Sequence, residues 1–135
     1  IPHYYDRNSE YLNNIKASGI KIIRVEDTPI QVARDMLSCK CILSSSLHGL
    51  IFAGSQGVPL VGIVYDQKVS SFLSYIGQDL YEDLNKLSEE KLKVLIDGAI
   101  SRGKNPRLLS ESVEKLRRMD QINRELLEQY AAPQV

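Results

Sequence analysis

Apolar positions in this chain follow two patterns that alternate along it. Short continuous runs of aliphatic residues are separated by stretches in which apolar residues return every three or four positions. The first pattern suits strands buried on both faces, and the second suits amphipathic helices. Residues 1–5 read as a first strand. Ser9 can cap a helix carrying Tyr11, Leu12 and Ile15 on one face, and Gly19 ends it. Residues 20–25, rich in β-branched side chains, read as a second strand. Thr28-Pro29-Ile30-Gln31 then predicts a helix start, with Thr28 at the N-cap, Pro29 at the first helical position and Gln31 completing a capping box. Val32, Ala33, Met36 and Leu37 supply its apolar face.

The second part of the pattern is tighter. Cys41-Ile42-Leu43 predicts a short buried strand, followed by three serines. Residues 47–56 are apolar on most sides and include the small Ala53 and Gly54, as expected of a helix pressed against a sheet. Gly57 closes that helix and Pro59 prevents its continuation. Residues 60–64 form an unbroken apolar run, a strand covered on both faces. Asp66 can cap a helix with Val69, Phe72, Leu73 and Ile76 at helical spacing, ended by Gly77. Two more helices follow. One spans residues 88–102, with Leu92, Leu95, Ile96, Ala99 and Ile100 inward. The last carries a stripe of Leu109, Val113, Leu116, Met119, Ile122, Leu126 and Tyr130. Its outer face offers the pairs Glu111/Lys115, Glu114/Arg118 and Asp120/Arg124, four residues apart.

Four strand–helix repeats imply an α/β fold with an open parallel sheet flanked by helices, a Rossmann-like layer. Residues 1–135 are expected to form one such domain, with residues 1–77 as the βα core and 78–135 mainly helical. The sequence opens Ile1-Pro2-His3-Tyr4-Tyr5, which reads as the end of a strand, so a fragment of a longer chain is expected.

Composition narrows the functional classes. Seventeen basic and seventeen acidic residues cancel, so no global field drives the chain onto nucleic acid or an anionic membrane. No apolar run approaches the roughly 20 residues of a membrane span. Cys39 and Cys41 are one residue apart and would point to opposite faces of a strand, so they are expected to be buried free thiols. No metal site and no dinucleotide, P-loop or zinc-protease motif is present in the sequence.

Ligands of parallel α/β sheets bind beyond the carboxyl ends of the strands, at helix N-termini. Two turns meet that rule and carry useful chemistry. In Ser44-Ser45-Ser46-Leu47-His48-Gly49, three hydroxyls and an imidazole surround a helix start whose uncapped N–H groups would attract an anion such as phosphate. His48 there could donate to a phosphate oxygen or serve as general acid. The same serines are equally suited to capping the helix. In Tyr65-Asp66-Gln67-Lys68, Asp66 suits a helix cap, while Lys68 sits against the helix dipole and calls for an anionic partner, either a ligand or a nearby carboxylate. His3 and Tyr4, toward the end of the first strand, are further candidates for the same edge.

These blocks, together with Gly49-Leu50-Ile51-Phe52-Ala53, Gly57-Val58-Pro59, Val69 and Phe72, resemble the C-terminal signature of the polysaccharide pyruvyl transferase family. The opening Ile1-Pro2-His3-Tyr4 with Asp6 is similar to the segment that begins that family's second domain. The resemblance implies that this chain is the C-terminal half of a two-domain enzyme resembling the GT-B architecture. It implies transfer of a pyruvyl group from phosphoenolpyruvate to a sugar of an exopolysaccharide or cell-surface glycan, with no cofactor. His48 would contact or protonate the donor, and Lys68 would hold its phosphate or carboxylate. Ser46 stands where the family often has arginine, and basic residues of the N-terminal half, Arg24 or Lys68 would have to compensate.

The partners expected are the small-molecule donor, a glycan or lipid-linked glycan acceptor, and the N-terminal domain of the same protein, without nucleic acid or a transmembrane segment. The expected location is the cytoplasm, including the inner face of the membrane as a peripheral protein. The isolated domain is expected to be inactive, because an interdomain cleft needs both walls. Two other readings share the fold: a glycosyltransferase domain using a nucleotide sugar, and a binding module without turnover.

Overall fold

Among the described residues, a sheet of three parallel strands, β1 (Ile42–Ser44), β2 (Leu60–Val64) and β3 (Tyr81–Asp83), organises the domain, with β2 between the other two. The computed structural model describes residues 17–19 and 28–131. The predicted strands at residues 1–5 and 20–25, and all but the end of the helix after Ser9, lie outside the described residues. Among the described residues, five longer helices flank the sheet: α1 (Pro29–Leu37), α2 (Leu47–Ser55), α3 (Gln67–Tyr75), α4 (Glu89–Arg102) and α5 (Pro106–Ala131). A 3-10 turn, Leu84–Lys86, follows β3.

The register is continuous across the sheet. Ile42 pairs with Leu60 and Ser44 with Gly62, while Gly62 pairs with Tyr81 and Val64 with Asp83. The three carboxyl ends therefore line up along one edge. β2 is covered on both faces, as its apolar run predicts, with Leu60 and Val61 both buried. β3 is not visible in the hydrophobic pattern: Tyr81-Glu82-Asp83 carries two carboxylates in three residues, and only its pairing with β2 makes it a strand.

The core lies on one face of β2. Leu50 and Ala53 of α2, Leu60 of β2, Val69 and Leu73 of α3, and Ile76 form a buried cluster. Small residues let the helices approach closely. A methyl group added at Gly54 would stand 3.2 Å from Leu60 Cδ1, and one added at Gly62 would run into Leu73 Cδ1. Gly57 and Gly77 end α2 and α3 with φ of +72° and +76°, the left-handed conformation that favours glycine at helix ends; Gly19, predicted to end the first helix, has φ of +83°.

Two buried polar side chains lock the opposite, amino-terminal end of the sheet. Gln78 Oε1 accepts from Leu60 N–H at 2.8 Å, and its amide donates to Val58 C=O at 3.4 Å. Ser112 of α5 donates to Ile76 C=O at 2.7 Å. Each satisfies a backbone group that would otherwise be left unpaired in the interior.

Several local expectations change. Thr28 is the N-cap of α1 but makes no side-chain cap, and Gln31 donates to Asp35 at 3.0 Å instead of closing a capping box. One turn down the helix, that carboxylate is the stronger acceptor. Leu37 and Leu43 are not inward-facing but 56% and 40% exposed. Cys39 and Cys41 are free, yet Cys39 is exposed and Cys41 half-buried; burial, then the neighbouring Cys39, raises the Cys41 thiol pKa. On α5, Glu111 pairs with Arg107 at 3.0 Å and not with Lys115, whose ammonium lies 6.0 Å from the Tyr75 ring. The other two pairs form. The α5 stripe packs on the domain as far as Leu116, but Met119, Ile122, Leu126 and Tyr130 are exposed.

Gly62→Ala should lower stability by about 1–3 kcal/mol through overpacking against Leu73; an unchanged urea midpoint would contradict the close approach. Asp79 gives a second test. The Arg102 guanidinium donates to its carboxylate at 2.7 Å and holds its pKa below the ordinary 3.8. A lowered folded-state pKa contributes stability above the unfolded value and loses it as pH falls through the folded one. The pair is largely exposed, so Asp79→Asn should cost at most about 1 kcal/mol at pH 7. That difference from wild type should start to shrink as pH falls below about 3.8 and be gone below the lowered folded-state value, as read by urea midpoints across the pH range.

Candidate functional site

The turn after β1 is built by its own serines. Ser44 Oγ accepts from Ser46 N–H at 3.0 Å, which folds the chain sharply off the strand. Ser46 is the N-cap of α2, and its Oγ accepts from Gly49 N–H at 3.4 Å. The helix start is thus capped, contrary to the uncapped terminus expected from sequence. Ser45 has no hydrogen bond recorded among the described residues and is exposed. His48, in the first turn of α2, is also exposed.

The turn after β2 is built the same way. Asp66 caps α3, with Oδ1 accepting from Lys68 N–H at 2.9 Å. The Lys68 side chain is exposed, and no ion pair is recorded for it or for His48 among the described residues. Because β1 and β2 are parallel and in register, both helix starts rise from the same edge of the sheet, and α2 and α3 touch along the core. His48 and Lys68 are therefore carried on adjacent helix starts at one edge, both exposed. His3 and Arg24 lie outside the described residues.

One element of this edge was missed from sequence. β3 ends beside β2 and brings Glu82 and Asp83 to it. Glu82 accepts from Asp83 N–H at 2.9 Å and pairs with Lys91 of α4 at 3.2 Å, and these two contacts lower its pKa. Asp83 Oδ1 accepts from Asn85 N–H at 2.8 Å. The only signal in sequence was polarity, which argued for a loop.

Two surface grooves lie along α5; one is lined by Pro106, Arg107 and Glu114, the other by Ile51, Phe72 and Met119, and neither includes His48 or Lys68. No group of three or more His, Cys, Asp or Glu side chains is placed to hold a metal ion among the described residues. No helix there is long and apolar enough to cross a membrane.

Ser46→Ala should cost about 1 kcal/mol through loss of the α2 cap, whereas Ser45→Ala should leave the urea midpoint unchanged. Equal effects would contradict the division of labour among the serines.

Comparison with known proteins agrees with the resemblance. The polysaccharide pyruvyl transferase family model matches residues 1–67, a span that includes His48 and Asp66 and stops one residue before Lys68. The chain is also similar to an uncharacterized protein of Acanthamoeba polyphaga mimivirus, 31% identical over 140 residues. That match covers 87% of this chain and 49% of the viral protein, so the chain spans about half the length of this relative. No solved structure matches. Over residues 1–67, this chain matches the polysaccharide pyruvyl transferase family.

Proposed function

We propose that the edge formed by the β1 and β2 turns binds phosphoenolpyruvate, and that this domain works as one half of a pyruvyl transferase acting on a glycan. The observation that carries the reading is the placement of His48 and Lys68, both exposed, on adjacent helix starts at the carboxyl edge of one parallel sheet. Phosphoenolpyruvate carries a phosphate and a carboxylate. Lys68 would hold one of these anions, with the dipoles of α2 and α3 adding to the attraction. Ser45 has a hydroxyl free to donate.

In the reaction proposed, two acceptor hydroxyls add to the enolpyruvyl carbon that bears phosphate, and inorganic phosphate departs. One hydroxyl proton ends on the methylene carbon, which becomes methyl, and the other leaves with phosphate. His48 would deliver the proton to carbon, and Lys68 would stabilise charge on the departing phosphate. Ser46 has its oxygen committed to the helix cap, so the cation that arginine supplies elsewhere in the family must come from Lys68, from Arg24 or from the other half of the protein. An exposed site needs a second wall to exclude water, which a two-domain, GT-B-like parent chain would supply; the site would be cytoplasmic, with access to lipid-linked acceptors. No cofactor is needed in this scheme.

The test is titration of the full-length protein with phosphoenolpyruvate and, separately, with nucleotide sugars. His48→Ala and Lys68→Ala should each weaken phosphoenolpyruvate binding or turnover by about tenfold or more, near 1.4 kcal/mol. Indifference to both substitutions would remove the proposed site. Saturable binding of a nucleotide sugar without phosphoenolpyruvate would favour a glycosyltransferase.

A further inference from the structure

We infer that the free end of α5 is a pairing surface for a second copy of this chain, in which two α5 helices run antiparallel. The inference is independent of the ligand reading above.

The spacing along α5 is that of a heptad. Leu109, Ser112 and Leu116, then Met119, Asn123, Leu126 and Tyr130, follow at alternating steps of three and four residues. The first part of this stripe is used within the domain. Ser112 is buried on Ile76 C=O, and Leu116 packs on the core cluster. The stripe then outruns its support. α5 lies antiparallel to α2: Val113 is beside Gly57, Leu116 is beside Gly54, and Met119 and Asn123 share a groove with Ile51. α2 begins at Leu47, about one turn beyond Ile51, so the residues after Asn123 extend past its end. Exposure is 40% at Met119 and reaches 87% at Tyr130.

Two features of this stretch fit a copy of itself. The first is charge. At about 100° per residue, Met119, Ile122, Asn123, Leu126, Leu127 and Tyr130 share one side of the helix, while the arginines and glutamates of residues 117–128 fall on the other. Asp120, on the flank, is paired with Arg124. The whole chain has a formal charge of zero, so two copies do not repel at long range. The second feature is that projection and recess occur on the same surface. The groove lined by Ile51, Phe72, Met119 and Asn123 lies at the near end of the free stripe, and Tyr130 stands at its far end. Met119 and Tyr130 are about 16 Å apart along the helix. An antiparallel pair with Asn123 of one copy opposite Leu126 of the other sets Met119 opposite Tyr130, so each ring reaches the groove of the other copy. Each contact is then made twice, as a two-fold interface requires. A polar residue such as Asn123 in the seam fixes register at some cost in stability. A parallel pair is ruled out by the domains: the lower half of the stripe is covered by its own copy, and a parallel partner helix would need that space. The free stretch is about 20 Å long, at the small end of the size range for stable complexes, so a Kd on the order of 10 μM is expected.

The test is the mass of the full-length protein by analytical ultracentrifugation over about 1–100 μM, with urea midpoints measured at the lowest concentration. Wild type should approach two copies at the upper end. Leu126→Glu should weaken the dimer by about tenfold or more. It should leave the urea midpoint of the monomer unchanged, because Leu126 is exposed on its own domain. Orientation is read by cross-linking after Cys39 and Cys41 are replaced by serine. Met119→Cys combined with Tyr130→Cys should give a disulfide-linked dimer under glutathione disulfide, and neither substitution alone should do so. A monomer across the whole range would overturn the inference, as would a dimer indifferent to Leu126→Glu. A lowered urea midpoint in Leu126→Glu would mean that another part of the same chain covers the stripe, and would equally overturn it. Cross-linking by either single variant would contradict the antiparallel arrangement.

Discussion

The close packing of α2 and α3 on the same face of β2 fixes nearly everything else about this domain. Gly62 leaves room for Leu73 where any side chain would collide, and Ala53 and Gly54 bring α2 down onto Leu60. Two helices seated so tightly on one central strand have little freedom to slide. Their first turns must then begin at the ends of β1 and β2, and the parallel register sets those ends side by side. A hydrophobic contact at the bottom of the core thus determines the spacing of His48 and Lys68 at the top.

Polar anchors keep the other end of the sheet from moving. Gln78 bridges Leu60 N–H and Val58 C=O at the entry to β2, and Ser112 ties α5 to the end of α3. These buried bonds cost little when made and about 1–3 kcal/mol per orphaned group when broken. The arrangement leaves rigidity below and exposed chemistry above. The backbone of the two helix starts is already held in place, which would reduce the ordering cost of any binding there.

The sequence was most informative where one pattern served one purpose. The run at residues 60–64 needs apolar residues on both faces and therefore reads as a central strand. The turns at Gly57 and Gly77 need positive φ, and glycine announces them. Ser44, Ser45, Ser46 and His48 could be placed at a strand end because that strand and the following helix were both clear. Reading was poorer where partners outside the local stretch decide the outcome. β3 is a strand only because β2 offers it a ladder, and Tyr81-Glu82-Asp83 has no pattern of its own. The capping box at Thr28 failed because Asp35, one turn past Gln31, competes for its amide. The serines that could cap a helix or greet an anion did the former at Ser46 and left Ser45 free. Sequence offered both outcomes and no means of choosing.

The central claim is that two helix starts, carrying His48 and Lys68, act on a single anion. Amide NMR of the full-length protein during a titration with inorganic phosphate tests it most directly. The account predicts that amides of residues 45–49 and 66–69 shift together and saturate with one common dissociation constant. Movement confined to one turn, or two turns saturating independently, would contradict it.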